Sequence, residues 1–208
     1  MLYEHTFAIL IDTKPCVDGG MMGTNVNELQ APNEDKFTEF VLYVAKKIES
    51  DPTGGATKIN KILFFAEFAS VRSRGVPITG VEYQKLANGP APRRLRPVRD
   101  QLIEEGSAEL RIDEYFGLAL HRLISLRDAD ESVFEDGELR TVDQVIEAVW
   151  GKTASEVSNM SHEEKVWQMV EDGEAIPYSA AYLAPTFQPT QAMRDHALEL
   201  SSRLAKSL

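Results

Sequence analysis

The residues that could carry chemistry are few and scattered. His5, His121, His162 and His196 are the only histidines, and no two lie within helical reach of each other. A zinc-hydrolase helix needs two histidines one turn apart with a glutamate between them. His162-Glu-Glu-Lys-Val has no second histidine. Gly151-Lys-Thr153 matches the end of a phosphate loop, but the earlier glycine that the pattern needs falls on Ile146, and a helical pattern rather than a strand precedes it. No Gly-x-Ser-x-Gly turn is present to expose a nucleophilic serine. Cys16 is the single cysteine, and a loop thiol is inert unless folding brings a base to it. Glu104-Glu105 and Asp130-Glu131 read most simply as solvated acidic faces. These residues predict no enzyme, no cofactor and no metal.

One cluster stands against this background. Arg93, Arg94, Arg96 and Arg99 gather at the start of a predicted helix, directly after Asn88, Gly89 and Pro90. The positive end of a helix dipole opposes cations there by a few tenths to ~1 kcal/mol each. Two explanations stand side by side. Nearby carboxylates such as Glu67 or Glu104 pair with the arginines. Alternatively the patch, with Asn88, Gly89 and Pro90, contacts an acidic or phosphate-bearing partner. The chain as a whole is acidic, with 22 Lys plus Arg against 33 Asp plus Glu and a net charge of -11 over 208 residues. Such a balance argues against general nucleic-acid or anionic-membrane binding. A lone cysteine excludes an internal disulfide and an all-cysteine metal site, and fits the cytoplasm. Phe7 to Ile11 is too short for a signal or membrane segment, and no other run spans a bilayer.

The elements that would position these residues centre on Thr57 to Val71. Ile59, Ile62, Leu63, Ala66 and Ala69 form one helical stripe, and Phe64, Phe65, Phe68 and Val71 fall outside it. A helix apolar nearly all round is a buried one. Asn60 and Glu67 are the odd residues in it. Either both sit at a rim and are satisfied by backbone or water, or Glu67 pairs with an arginine beyond Pro92. Before it, Asn33 caps a helix with Phe37, Phe40, Val41, Val44 and Ile48 on its inner face, and Asp51-Pro-Thr-Gly-Gly55 stops it. After it, Leu95, Val98, Leu102 and Ile103 line a third helix that either starts near Arg96 or is kinked at Pro97, and is closed by Gly106. Leu110 and Ile112 alternate with Arg111 and Asp113, and Leu118, Leu120, Ile124 and Leu126 follow, which reads as a β-hairpin turning at Tyr115 to Gly117.

The C-terminal third is helical. Leu139, Val142, Val145, Ile146, Val149 and Trp150 share a face. Thr153-Ala-Ser-Glu156 and Ser161-His-Glu-Glu164 both fit the capping box and predict two short consecutive helices. Ala175 to Leu183 reads as a proline-broken wrap along the core. The chain divides into an N-terminal extension (1–33, with Phe7 to Ile11 a candidate strand), a helical domain (34–184), and a linker with an amphipathic helix (185–208). That last helix carries Met193, Ala197, Leu200 and Leu204 on a narrow stripe, which suits packing on its own domain or across a homodimer. The fold class expected is mainly α, a helical domain around a central buried helix with a small antiparallel β-hairpin.

Several of these segments together resemble the Panacea domain, the SocA-like antitoxin family that includes phage-associated GepA proteins. Lys58-Ile-Asn-Lys-Ile-Leu-Phe-Phe-Ala-Glu-Phe68 is similar to the family's lysine-rich aromatic helix, and Gly75-Val-Pro-Ile-Thr-Gly80 to the turn after it. Asn88-Gly-Pro-Ala-Pro92 resembles its Gly-Pro-Val loop, with alanine for valine and asparagine for the usual tyrosine. Trp150-Gly151, Met160-Ser-His162 and Gly173-Glu-Ala-Ile-Pro-Tyr178 look like its C-terminal end. The likeness covers roughly 37–183.

The resemblance implies a mainly helical domain with a small hairpin. It also implies an antitoxin that neutralises a co-encoded toxin, either by holding it or as an adaptor that delivers it to the ClpXP protease. Some members add a helix-turn-helix domain; residues 1–33 show no such pattern, so direct DNA binding is not expected. The partner-facing surface expected here is Asn88, Gly89, Pro90, Arg93, Arg94, Arg96 and Arg99, or the terminal helix. The alternatives are a small hydrolase whose site is assembled from dispersed residues around a perturbed histidine or carboxylate, and a phage or mobile-element interaction module without a toxin.

Overall fold

Helix α2 (Ala56–Arg74) runs through the middle of the molecule, and from Lys58 to Val71 every residue except Asn60 is buried. Each large apolar side chain so buried contributes about 1.5–3 kcal/mol. The computed structural model describes residues 31–182, so Phe7 to Ile11, Cys16 and the Thr190 to Leu208 helix lie outside the described residues. Around α2 pack α1 (Glu34–Lys47), α4 (Glu138–Val149), α5 (Ala154–His162) and the 3-10 turn Tyr178–Tyr182. The remaining elements are β1 (Tyr83–Gln84), β2 (Ala91–Pro92), α3 (Leu95–Glu104), β3 (Ala108–Tyr115), β4 (Leu118–Ser125), a 3-10 turn (Glu131–Val133), α6 (Lys165–Gln168) and β5 (Ala175–Ile176). The fold is mainly α with a small antiparallel hairpin.

Local sequence explains most boundaries. The Asn33 carboxamide oxygen accepts from Lys36 N at 2.9 Å and starts α1, with Glu34 and Asp35 in its first turn and Lys46 and Lys47 in its last. Gly75 ends α2 in the left-handed region. Helix α3 begins at Leu95, one residue from the expected start near Arg96: Pro97 sits in the first turn, where its missing N–H has no helical partner to lose. At the other end Ser107 N donates to Leu102 O (2.8 Å) and Gly106 N to Ile103 O (3.1 Å), the paired bonds of a Schellman cap. Strands β3 and β4 pair in register from Ala108↔Ser125 to Tyr115↔Leu118. Their two-residue turn has positive φ at both Phe116 (50°) and Gly117 (77°), the twist-matched type I′ form.

Four expectations need correction. Only the first capping box exists: Thr153 and Glu156 bond reciprocally, but Ser161 lies inside α5 and its hydroxyl donates to Ser158 O at 2.7 Å. Glu164 instead pairs with Arg72 at 2.5 Å. Trp150 follows α4 and is exposed, because the chain leaves the helix at that residue. Glu67 meets no arginine; it is satisfied largely by backbone, as the first of the two expectations has it, but not at a rim. It is fully buried and accepts from Ile78 N (2.6 Å), Thr79 N (3.1 Å) and the Thr79 hydroxyl. Finally, β2-β1-β5 form an unexpected three-stranded antiparallel sheet, and the Ala175 wrap begins as its edge strand.

A buried helix forces its charges inward. Lys58 Nζ lies 2.7 Å from Asp51 Oδ2 and 2.5 Å from Thr53 Oγ1, with both members of the ion pair fully enclosed. Burial alone would raise the Asp51 carboxyl, but bonds from Lys58 and Thr53 outweigh it and hold it below the usual range. The pair ties the turn before α2 to α2 itself. Arg122 of β4 fastens the hairpin to the same turn, donating to Pro52 O (2.9 Å) and Gly54 O (3.2 Å). Glu138 joins α4 to α1 and α2 through Lys36 (2.6 Å) and Arg74 (2.8 Å).

Two stability predictions follow from these enclosed charges. Lys58→Met strands the Asp51 carboxylate and should cost about 3–5 kcal/mol in urea unfolding, while adding Asp51→Asn should recover part of the loss. A single variant that costs under ~1 kcal/mol removes the pair from the fold's supports. Glu67 is raised to about 7, first by burial, with its hydrogen bonds opposing. The folded state therefore binds this proton more tightly than the unfolded chain, where the value is 4.5. Stability from that proton is full below the unfolded value and is lost as pH rises through about 7. Wild-type stability measured against Glu67→Gln should decline across this window by on the order of 3 kcal/mol; parallel profiles would contradict it.

Candidate functional site

The site is built where the β1–β2 turn closes over α2. Gly89 N donates to Leu86 O at 2.8 Å, and Gly89 adopts φ 95°, a left-handed conformation that costs other residues about 1–2 kcal/mol. Glycine is required there for a second reason. A Cβ at Gly89 would overlap Ser161 Oγ and stand 2.7 Å from Lys61 Nζ. The backbone thus passes directly over a lysine and a serine from α2 and α5.

Lys61 is only 2% exposed. Its ammonium donates to Pro90 O at 3.0 Å, and among the described residues no carboxylate lies within ion-pair distance. Burial pulls its pKa down to about 8. Beside it a cleft of about 330 Å³ opens. Thr57, Asn60 and Lys61 line it from α2, and Leu86, Ala87, Asn88, Gly89 and Ala91 line it from the β1–β2 segment. Asn60 uses its amide on Ala56 O at 3.0 Å. On the other flank His162 stacks on Trp167 (4.2 Å), and Lys85 lies over the same indole (4.3 Å). The His162 imidazole is held below its ordinary value, first by burial and then by the charges of Lys61 and Lys85. This corner is cationic although the chain is acidic.

The predicted arginines are placed beside this turn but not in the cleft. Arg93 pairs with Glu82 and donates to Gln84 Oε1 and Gly173 O, each at 2.8 Å, which clasps the small sheet. Arg94 reaches Glu34 at 2.5 Å, Arg99 reaches Asp100 at 2.5 Å, and Arg96 stands 3.9 Å from Asp100. Their carboxylates are therefore Glu82, Glu34 and Asp100 rather than Glu67 or Glu104. Of the expected surface, Asn88 and Gly89 line the cleft and Pro90 supplies the carbonyl on Lys61.

A different surface is apolar. Beyond its buried base the hairpin exposes Leu110 (49%), Ile112 (66%), Phe116 (89%) and Leu118 (72%). Leu110 and Ile112 pair across with Leu123 and His121, whereas Leu118 lies opposite Tyr115 on the other face. Among the described residues no helix is long and apolar enough to cross a membrane, and no cluster of His, Cys, Asp or Glu is placed to hold a metal ion.

Residues 59–168, a little over half of the chain, match the family described as antitoxin SocA-like, Panacea domain. The chain belongs to that family. The match runs from α2 to α6 and contains Lys61, the Gly89-Pro90 turn, the arginines, the hairpin and Ser161-His162. It is narrower than the 37–183 span expected, leaving α1 and β5 outside. Comparison with curated proteins and with solved structures gave no match.

Sequence reasoning found the Panacea turn but missed the lysine beneath it. A lysine in an aromatic helix reads as a surface residue unless every face of the helix is known to be covered. The one available signal was that Lys61 lies on a helix already judged apolar all round. Gly89→Ala should cost at least about 2 kcal/mol, more than Gly106→Ala, which also has positive φ but open space around it. Equal losses in urea melts of the two variants would show that only backbone strain, and not the close approach to Lys61 and Ser161, constrains the Panacea turn.

Proposed function

We propose that this chain is the antitoxin of a toxin–antitoxin pair, acting in the cytoplasm, and that it neutralises a co-encoded toxin by direct protein binding rather than by catalysis. Membership of the antitoxin family supports the role. The observation that carries the binding mode is the hairpin: Ile112, Phe116 and Leu118 stand in solvent on an arm whose base is locked by Arg122. Ile112 and Leu118 project from opposite faces of the arm with Phe116 at its tip, so a partner that buries all three must enclose the arm. Its partner is a toxin surface with an apolar depression. The clustered arginines are weaker anchors, since a carboxylate already stands within 4.0 Å of each.

The hydrolase alternative finds less support. Among the described residues the cleft's lining contains neither histidine nor carboxylate, and Ser161 directs its hydroxyl proton to Ser158 O. An adaptor role with the ClpXP protease is a variant of the binding reading, because the toxin must be held in either case.

Co-expression with the adjacent open reading frame tests the proposal through growth rescue. Ile112→Thr with Phe116→Asn keeps strand propensity and places Asn-Gly in the I′ turn, so folding should persist. Toxin affinity should fall at least tenfold, about 1.4 kcal/mol, as expected for loss of a central anchor. Full rescue by this folded variant, with loss in Arg93→Glu/Arg94→Glu, would move the interface to the arginines. Rescue that vanishes in cells lacking ClpXP would assign delivery over sequestration. Absence of any toxic neighbour would favour an interaction module without a toxin.

A further inference from the structure

We propose that the cleft between α2 and the Leu86–Gly89 turn binds a carboxylate carried on a short apolar body, with the Lys61 ammonium as its counter-ion. Helix α2 itself provides the comparison. It buries two lysines one turn apart, and Lys58 has a carboxylate at 2.7 Å and a hydroxyl at 2.5 Å. Lys61 has one carbonyl for its three N–H donors and no anion among the described residues. An enclosed ammonium without an anion is costly, and a lysine serving only as packing is more cheaply replaced by methionine or leucine.

The surroundings select the ligand class. Lys85 and His162, whose charges meet at this corner, are basic, and the carboxylate on that flank, Asp172, stands 4.0 Å from Lys85 and makes no ion pair with Lys61. Thr57, Asn60 and Asn88 offer hydrogen-bonding groups at the cleft wall, while Leu86, Ala87 and Ala91 offer apolar contact. A cleft of about 330 Å³ matches the small end of ligand sites. One fixed cation suits a singly charged group; a phosphate is usually held by backbone N–H nests or arginine forks, and the nearby arginines are engaged elsewhere. The carboxylate could belong to a free small acid or to a chain terminus of a partner. The site does not depend on the antitoxin reading, which rests on family membership and, for its binding mode, on the hairpin.

The test follows the Lys61 side-chain resonances of the full chain by NMR, with butyrate as probe and butyramide as its uncharged match. Butyrate should shift the Lys61 signals and raise its titration point above the unliganded value of about 8. Because only the ammonium attracts the anion, affinity should drop about tenfold between roughly pH 7 and roughly pH 9. Butyramide should do neither, and Lys61→Met should abolish binding. Asn88→Ala, which leaves the lysine in place, should weaken binding and keeps the test available if Lys61→Met fails to fold. A short peptide with a free C-terminus, compared with its amide, runs in parallel. Butyrate binding alone assigns a free acid, peptide binding alone assigns a chain terminus, and either supports the site. No Lys61 shift with either probe, equal shifts with butyramide, or binding retained in Lys61→Met would overturn it.

Discussion

The whole domain depends on α2 having no face left for water. Once a helix is covered on all sides, every polar group it carries must find its partner inside the protein or remain uncompensated. Lys58 finds Asp51, Glu67 finds the backbone N–H groups of Ile78 and Thr79, and Ser70 finds Val76 O at 2.7 Å. These partners are not on neighbouring helices. They lie in the two turns that flank α2, so burial of the helix also dictates the path of the chain entering and leaving it. The turn before α2 then holds the hairpin through Arg122, and the turn after it leads into β1 and the aromatic group of Phe64, Phe68, Tyr83 and Tyr178.

That same dependence separates what was readable in the residues from what was not. Helix α1, the glycine-closed end of α3, the Thr153 cap and the hairpin with its turn before Leu118 are set by side chains within a few positions of each other. Patterns of that range are visible in a linear string. The second capping box failed for a specific reason: Ser161 has the right spacing to Glu164, but α5 had not yet ended, so its hydroxyl was used within its own helix. The three-stranded sheet was hidden because its strands are two residues long, too short for any alternation to register. Its order, β2-β1-β5, also joins segments some ninety residues apart.

The site was half readable. Asn88, Gly89 and Pro90 announce an unusual turn, and the arginines announce a charged patch. What the turn covers is a three-dimensional fact. Lys61 and Ser161 come from different helices, and their meeting under Gly89 has no trace in local spacing. Glu67 shows the same limit from the other direction. Seeking a charged partner for a buried carboxylate favours arginine, yet the turn at Pro77 to Gly80 supplied N–H donors that no side-chain inventory contains.

Recognition by this domain is constrained by how its charges are spent. Each clustered arginine has a carboxylate close by, so a partner that sought a guanidinium would first have to displace an existing neighbour, and an exposed pair yields little net gain either way. On the hairpin the Arg111–Asp113 ion pair lies on the face of Leu118, opposite Ile112, so the Ile112 face has no such pair to displace. Removing Ile112, Phe116 and Leu118 from water is favourable with any complementary apolar surface, at about 25 cal/mol per Å². Its backbone is already ordered by strand pairing and by the Arg122 anchor, which lowers the entropy lost on docking. At longer range the acidic balance of the chain repels acidic proteins and favours basic ones.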